Sequence, residues 1–156
     1  MPILARAIFG MVNWAARKGL AESSAAPTRA AAGLRARQTG VRGETYAYWY
    51  LRRNGYVMIA RNFTVPGTKG EIDLVGYDGA TLAFVEVKTR TTPRVDFGSP
   101  EDAVTVKKQR NLSRMARQFL REYRASGARF RFDILAIEAL PGQRPIVRLH
   151  KGAFAA

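Results

Sequence analysis

Apolar and polar positions change their spacing several times along this chain, and each change marks an element. Glu44, Ala47, Tyr48 and Leu51 recur at i, i+3, i+4 and i+7, which predicts a helix from Gly43. It ends before Gly55, a residue suited to the left-handed position beyond a helix. Tyr56 to Phe63 reads as a strand. Glu71 to Tyr77 and Thr81 to Lys88 are two more, joined through the hairpin signal Asp78-Gly79. After a loop holding Pro93, Gly98 and Pro100, a long helix runs from about Pro100 or Thr105 to Ser126 and stops at Gly127. Phe130 to Glu138 and Pro145 to Leu149 are strands on either side of the Pro141-Gly142 turn. Helix, three strands, helix, two strands is the order of an α/β (or α+β) fold around one central mixed sheet.

The first forty residues read differently. Leu4, Ile8, Met11 and Ala15 stand at helical spacing, which predicts an amphipathic helix within Met1 to Leu20. As a signal peptide this stretch is poor, because its apolar run is short and broken by glycine. As an amphipathic helix it could touch a membrane or a partner. Residues 21 to about 41 are rich in Ala, Ser, Arg and Gly and lack an apolar stripe, the composition of a flexible basic linker. The expected division is a basic extension over 1–41 and a folded domain over 42–156. No apolar run reaches the roughly eighteen residues of a membrane span, so no integral membrane segment is expected, and the absence of a signal and of cysteine suits a cytoplasmic location.

Composition narrows the function classes. The 156 residues are 47% hydrophobic, enough for one domain with a real core. A net charge of +14, from 26 Lys+Arg against 12 Asp+Glu, points to a polyanionic partner. Met1 to Arg42 carries +6 of that charge, so the folded part is basic in its own right, which favours nucleic acid over a membrane surface. Absence of cysteine excludes disulfides, thiolate zinc sites and cysteine nucleophiles. The single histidine, His150, cannot build a triad or a two-histidine metal site and reads as a surface or strand-end imidazole.

Two carboxylates break the apolar hairpin. Asp73 and Glu86 lie inside β-prone runs, where burying an unpaired charge costs several kcal/mol. With Asp78-Gly79 as a two-residue loop, Asp73 faces Phe84 and Glu71 faces Glu86. Asp73, Glu86 and Lys88 then share one side with Glu71 beside them, and Ile72, Leu74, Ala83, Val85 and Val87 form an apolar face on the other. That pattern fits a solvated face with ion pairs to Lys88 or Arg90, and it fits carboxylates sharing a divalent metal. Glu71 reads as solvated, and Asp133 as paired with an arginine or capping a strand end. In the second helix, Leu112, Met115, Ala116, Phe119, Leu120 and Tyr123 form an apolar stripe that also takes in Gln109 near the helix start. Lys107, Arg110, Arg114, Arg117, Arg121 and Arg124 form a basic stripe roughly opposite.

Gly43-Glu44, Gly55-Tyr56, Arg61-Asn62, Gly70-Glu71-Ile72-Asp73-Leu74, Phe84-Val85-Glu86-Val87-Lys88-Thr89-Arg90 and Lys108-Gln109 together resemble the YraN-like family of bacterial proteins. That family is similar to the PD-(D/E)XK nucleases, especially archaeal Holliday-junction resolvases, and the match covers about residues 42 to 150. The resemblance implies a restriction-endonuclease-like core with Asp73 and Glu86 as metal-binding carboxylates and Lys88 as the motif lysine. It further implies Glu44 as the helix carboxylate and Gln109 as the polar residue of the following helix. Ile72 stands where many relatives of that superfamily carry proline. The implied activity is Mg²⁺- or Mn²⁺-dependent hydrolysis of DNA phosphodiesters at branched or unusual structures, by a homodimer where two strands are cut. Arg90, Lys107, Lys108, Arg110, Arg114, Arg117 and Arg121 are the expected phosphate contacts. The alternative expectation is a nucleic-acid-binding module on the same fold without catalysis.

Overall fold

The computed structural model describes residues 2–19, 29–91 and 104–155. The elements are α1 (Pro2–Gly19), α2 (Arg29–Arg53), β1 (Val57–Phe63), β2 (Ile72–Asp78), β3 (Thr81–Arg90), α3 (Val106–Glu122), β4 (Phe130–Glu138) and β5 (Ile146–Phe154). Helix, three strands, helix, two strands is present as expected, with α1 in front. Among the described residues the strands form one sheet in the order β1-β2-β3-β4-β5. All neighbours are antiparallel except β3 and β4. Those two are parallel because α3 carries the chain from the end of one back to the start of the other.

Both faces of the sheet are covered. Val75, Leu82, Phe84 and Phe132 pack against Met115 and Phe119 of α3. Leu74, Ala83, Val85 and Leu135 pack against Ala47 and Leu51 of α2. The side of the hairpin that carries Asp73 and Glu86 is therefore not a solvated face, since Val75, Leu82 and Phe84 on the same side are fully buried. Ile72 also departs from expectation: it joins the α3 cluster and not the face of Leu74 and Val85.

Helix ends explain two further differences. α2 closes as expected, with Gly55 at φ 91° while Tyr56 N–H donates to Leu51 O and Gly55 N–H to Arg52 O. Its start lies at Arg29 and not Gly43, so residues 29–41, expected as linker, are helical. They are rich in the strong helix formers Ala and Arg, and residues 32–34, 36–38 and 41 are exposed, so no apolar stripe announces them. The linker expected over 21–28 lies outside the described residues. α3 is capped by Thr105, whose side chain accepts from Lys108 N–H. It stops before Ser126 because Arg124, not a glycine, takes the left-handed position at φ 52°. Ala125 N–H then donates to Leu120 O and Arg124 N–H to Arg121 O.

The hairpin pairs Asp78 with Thr81, so its loop is Gly79-Ala80 and not Asp78-Gly79. Only the first loop residue, Gly79 at φ 59°, needs positive φ, as in a type II′ turn. Asp78 stays on the strand because its carboxylate is taken by Arg131 (2.6 Å) and Lys151 (2.7 Å). Arg131 also holds the fully buried Asp133 (2.8 Å), the arginine pairing expected for that residue. The register moves by two residues, so the sides on which Asp73 and Glu86 project are unchanged.

α1 is the expected helix and packs on α2. Phe9 is buried, edge-to-face with Tyr46 at 5.2 Å, and the Arg53 guanidinium lies over its ring at 5.0 Å from the centroid. His150 sits within β5 opposite Ile134 and not at a strand end.

Candidate metal centre and basic helix

The site forms where β2 and β3 part. Their pairing runs from Asp78↔Thr81 to Leu74↔Val85. One residue further, Asp73 Oδ2 accepts the Val87 N–H at 2.7 Å. On the alternation of an antiparallel ladder that donor would otherwise meet the carbonyl of Ile72. The side chain thus ends the ladder, and Ile72 is released to pack under α3. Asp73 is 8% exposed and Glu86 5%. Burial, and next the negative charge of Glu86, push the Asp73 carboxyl up to about 7, against the opposing effect of the Val87 N–H.

Glu44, Glu71 and Asp73 each bring a carboxylate oxygen within 4.8 Å of the others. Each arrives by a local device. Gly43 touches β3 so closely that a Cβ there would lie 1.8 Å from Thr89 Oγ1, and the next residue, Glu44, is thereby lowered onto the hairpin. Gly70, at φ 94°, turns the chain into Glu71, and the loop before it is held where Asn111 of α3 donates to Lys69 O. Asn62 takes the left-handed conformation at φ 49°, and its amide donates to Glu44 Oε2 (3.0 Å) and Glu71 Oε2 (3.4 Å).

Glu86 lies beside this triad but is not part of it. Its Oε1 accepts from Lys88 Nζ at 2.9 Å and lies 3.3 Å from Lys108 Nζ. Its Oε2 is buried and, among the described residues, without a hydrogen-bond partner. An orphaned buried carboxylate oxygen is costly unless a cation serves it. The donors fit a hard divalent ion: an octahedral site with bonds of about 2.1 Å separates its ligand oxygens by roughly 3–4 Å. Three carboxylates within 4.8 Å of one another can meet that demand.

The remaining expected residues divide by position. Lys107, Arg110, Arg114, Arg117 and Arg121 are exposed along α3. Arg110, Arg114 and Arg117 line a groove of about 480 Å³ together with Ala155. Gln109 lines that groove too, and its amide donates to Val104 O at 3.0 Å; among the described residues no hydrogen bond joins it to the carboxylates. Arg90 ends β3, half-buried, with its carbonyl accepting from Ala139 N–H. Lys108, expected as a phosphate contact, is half-buried with its Nζ 3.3 Å from Glu86 Oε1. Sequence reasoning undervalued Glu71, which is half-buried and within reach of the other two carboxylates. It gave Asn62 no role. Alternation did place Glu71 on the Asp73 side; Arg61-Asn62 belongs to the residues that carry the family resemblance, but no periodicity in β1 gives Asn62 a role.

A five-stranded mixed sheet with helices on both faces, and carboxylates gathered where its hairpin opens, has the architecture of a restriction-endonuclease-like fold. The chain belongs to the uncharacterised protein family UPF0102, whose family model matches residues 43–137. It is 44% identical over 117 residues to a UPF0102 protein of Koribacter versatilis, covering 75% of this chain and 79% of that one. It is 43% identical over 118 residues to a UPF0102 protein of Symbiobacterium thermophilum, covering 76% and 97%. A third, from Geobacter metallireducens, is 42% identical over 121 residues, covering 78% and 95%. The matched stretch spans the carboxylates, Lys88, Asn62 and α3 and leaves α1 outside. Among the described residues no helix is long and apolar enough to cross a membrane.

Proposed function

We propose that this protein is a divalent-metal-dependent nuclease that hydrolyses DNA phosphodiesters, with Asp73 at the centre of its site. The observation that carries this reading is the buried pair Asp73 and Glu86, with Glu86 Oε2 lacking a partner among the described residues, beside the Glu44–Glu71–Asp73 cluster. In this reading Asp73 and Glu86 hold Mg²⁺ or Mn²⁺, and Glu44 and Glu71 supply further oxygens or orient water. When bound, the cation neutralises phosphate charge and acidifies a coordinated water. Lys88 sits 2.9 Å from Glu86 and is 36% exposed, so its ammonium can face both the carboxylate and charge developing on a phosphate oxygen. Lys108 links the site to α3, whose exposed arginines follow the DNA backbone and make binding steeply salt-dependent.

A binding module without catalysis is supported by one feature, the closure of Glu86 Oε1 by two lysines. The test is cleavage of labelled linear, flapped and four-way DNA with Mg²⁺ or Mn²⁺, by the parent protein beside Asp73→Asn. Metal-dependent cutting lost in the variant, with DNA affinity kept, is the expected result. Salt-sensitive binding with no cutting under either metal would remove the nuclease reading and leave the binding module.

A further inference from the structure

α1 carries two apolar faces: one packs on α2, and the other is largely exposed. Phe9 is buried against Tyr46, with Val12 packed on the same cluster. Ile3, Leu4, Met11 and Trp14 are 83%, 64%, 63% and 61% exposed. At about 100° per residue these four fall with Ala7 inside an arc of roughly 100°, centred opposite Phe9. Such an apolar stripe on a short helix is unusual for a surface that meets only water.

The flank of α1 between that stripe and the Phe9 side is basic. A groove of about 480 Å³ between α1, α2 and the β4–β5 turn is lined by Arg6, Arg53 and Arg144, with Asn13, Tyr46 and Tyr50. α1 contains no acidic residue. Apolar side chains including a tryptophan, bordered by guanidinium groups, match the two layers of an anionic bilayer surface, where acyl chains lie beneath phosphate headgroups. Nucleic acid matches the arginines but gives the exposed Ile3, Leu4 and Met11 nothing apolar to cover.

We propose that α1 is an interfacial helix that seats this protein on anionic phospholipid membranes, with Ile3, Leu4, Met11 and Trp14 entering the acyl boundary and the Arg6–Arg53–Arg144 groove receiving headgroup phosphate. The helix lies on the membrane and does not cross it. The proposal is independent of the nuclease reading, because α1 lies outside the family-matched stretch and contributes nothing to the carboxylate cluster.

The test is flotation of the full-length protein, without divalent metal or nucleic acid, on vesicles of phosphatidylcholine alone and of equal parts phosphatidylcholine and phosphatidylglycerol. Binding to the anionic vesicles is expected, at least about tenfold stronger than to the neutral ones, since the negative surface potential attracts the basic groups that reach it. Leu4→Ser with Met11→Ser changes exposed positions only and should reduce the bound fraction about tenfold. Arg6→Ala with Arg144→Ala should remove most of the preference for anionic lipid. Trp14 emission should shift to the blue on binding, and the shift should vanish in Trp14→Phe. No flotation, equal binding to both vesicles, or anionic binding untouched by Leu4→Ser/Met11→Ser would overturn the proposal. So would concentration-dependent dimerisation in light scattering that the same double variant abolishes, which would assign the face to a second copy of the chain.

Discussion

Asp73 and Val87 are joined by a hydrogen bond from the Val87 N–H to Asp73 Oδ2 at 2.7 Å, and this bond both ends the hairpin ladder and fixes the carboxylate under α3. The second Asp73 oxygen is left for the site. Asp73→Asn keeps an acceptor for Val87 and removes the charge that burial disfavours. Its metal-free thermal midpoint should equal or exceed that of the parent, while cleavage falls by about 10²–10³-fold, the scale of losing one focused electrostatic contact. Asp73→Ala strands the Val87 N–H and should cost a further 1–3 kcal/mol or about that in urea denaturation. Asparagine and alanine variants of equal stability would show that the bond does not hold the hairpin end.

Asn62 separates backbone strain from site geometry. Asn62→Gly accepts φ 49° without penalty, whereas Asn62→Ala places a Cβ in the left-handed region at about 1–2 kcal/mol. Both lose the amide that spans Glu44 and Glu71. Metal-dependent cleavage should drop about 10–100-fold in both, as for other groups that orient ligands. Only the alanine variant should melt early. Full cleavage in the glycine variant would show that Asn62 does not position the carboxylates.

Gly43 is a contact glycine. A methyl there would meet Thr89 Oγ1 at 1.8 Å and Thr89 Cβ at 2.9 Å, so α2 must move off β3. Gly43→Ala should destabilise by about 1–3 kcal/mol, the usual scale of overpacking, and should weaken cleavage by displacing Glu44. Thr89→Ala alone should be close to neutral, since its buried hydroxyl has no partner among the described residues. Adding Thr89→Ala to Gly43→Ala should recover part of the loss. Absence of any coupling in this double-mutant cycle would mean the two residues do not set the helix position.

Acid should unlock the far end of the sheet. Hydrogen bonds from Lys151 and Arg131 hold the Asp78 carboxyl below its ordinary value of 3.8. A depressed folded-state pKa stabilises the fold above the unfolded value and loses that contribution as pH falls through the folded value. Asp78→Asn should therefore lower the thermal midpoint at pH 7, and the gap from the parent should close below about pH 4. Because the carboxylate is partly exposed and screened, the effect at neutral pH should be on the order of 1 kcal/mol. A gap that persists unchanged at pH 2 would assign it to turn geometry and not to charge.

Sequence alone determined the order of elements and the grouping of Asp73, Glu86 and Lys88, because both depend on periodicity. Strand alternation survives a two-residue slip, so moving the loop from Asp78-Gly79 to Gly79-Ala80 left those three on one side. Periodicity reports only which side of an element a residue occupies, and it fails where both sides are buried or neither is. The exposed half of α2 was therefore unreadable, and so was the burial of the second hairpin face. Tertiary structure alone decided which oxygens come within reach of one ion. That outcome rests on the close approach at Gly43, the left-handed turn at Asn62, the parting of β2 and β3 at Asp73, and the reach of Lys108 to Glu86. Each is a distance between elements far apart in the chain, fixed by packing of the whole sheet, and no local spacing encodes it.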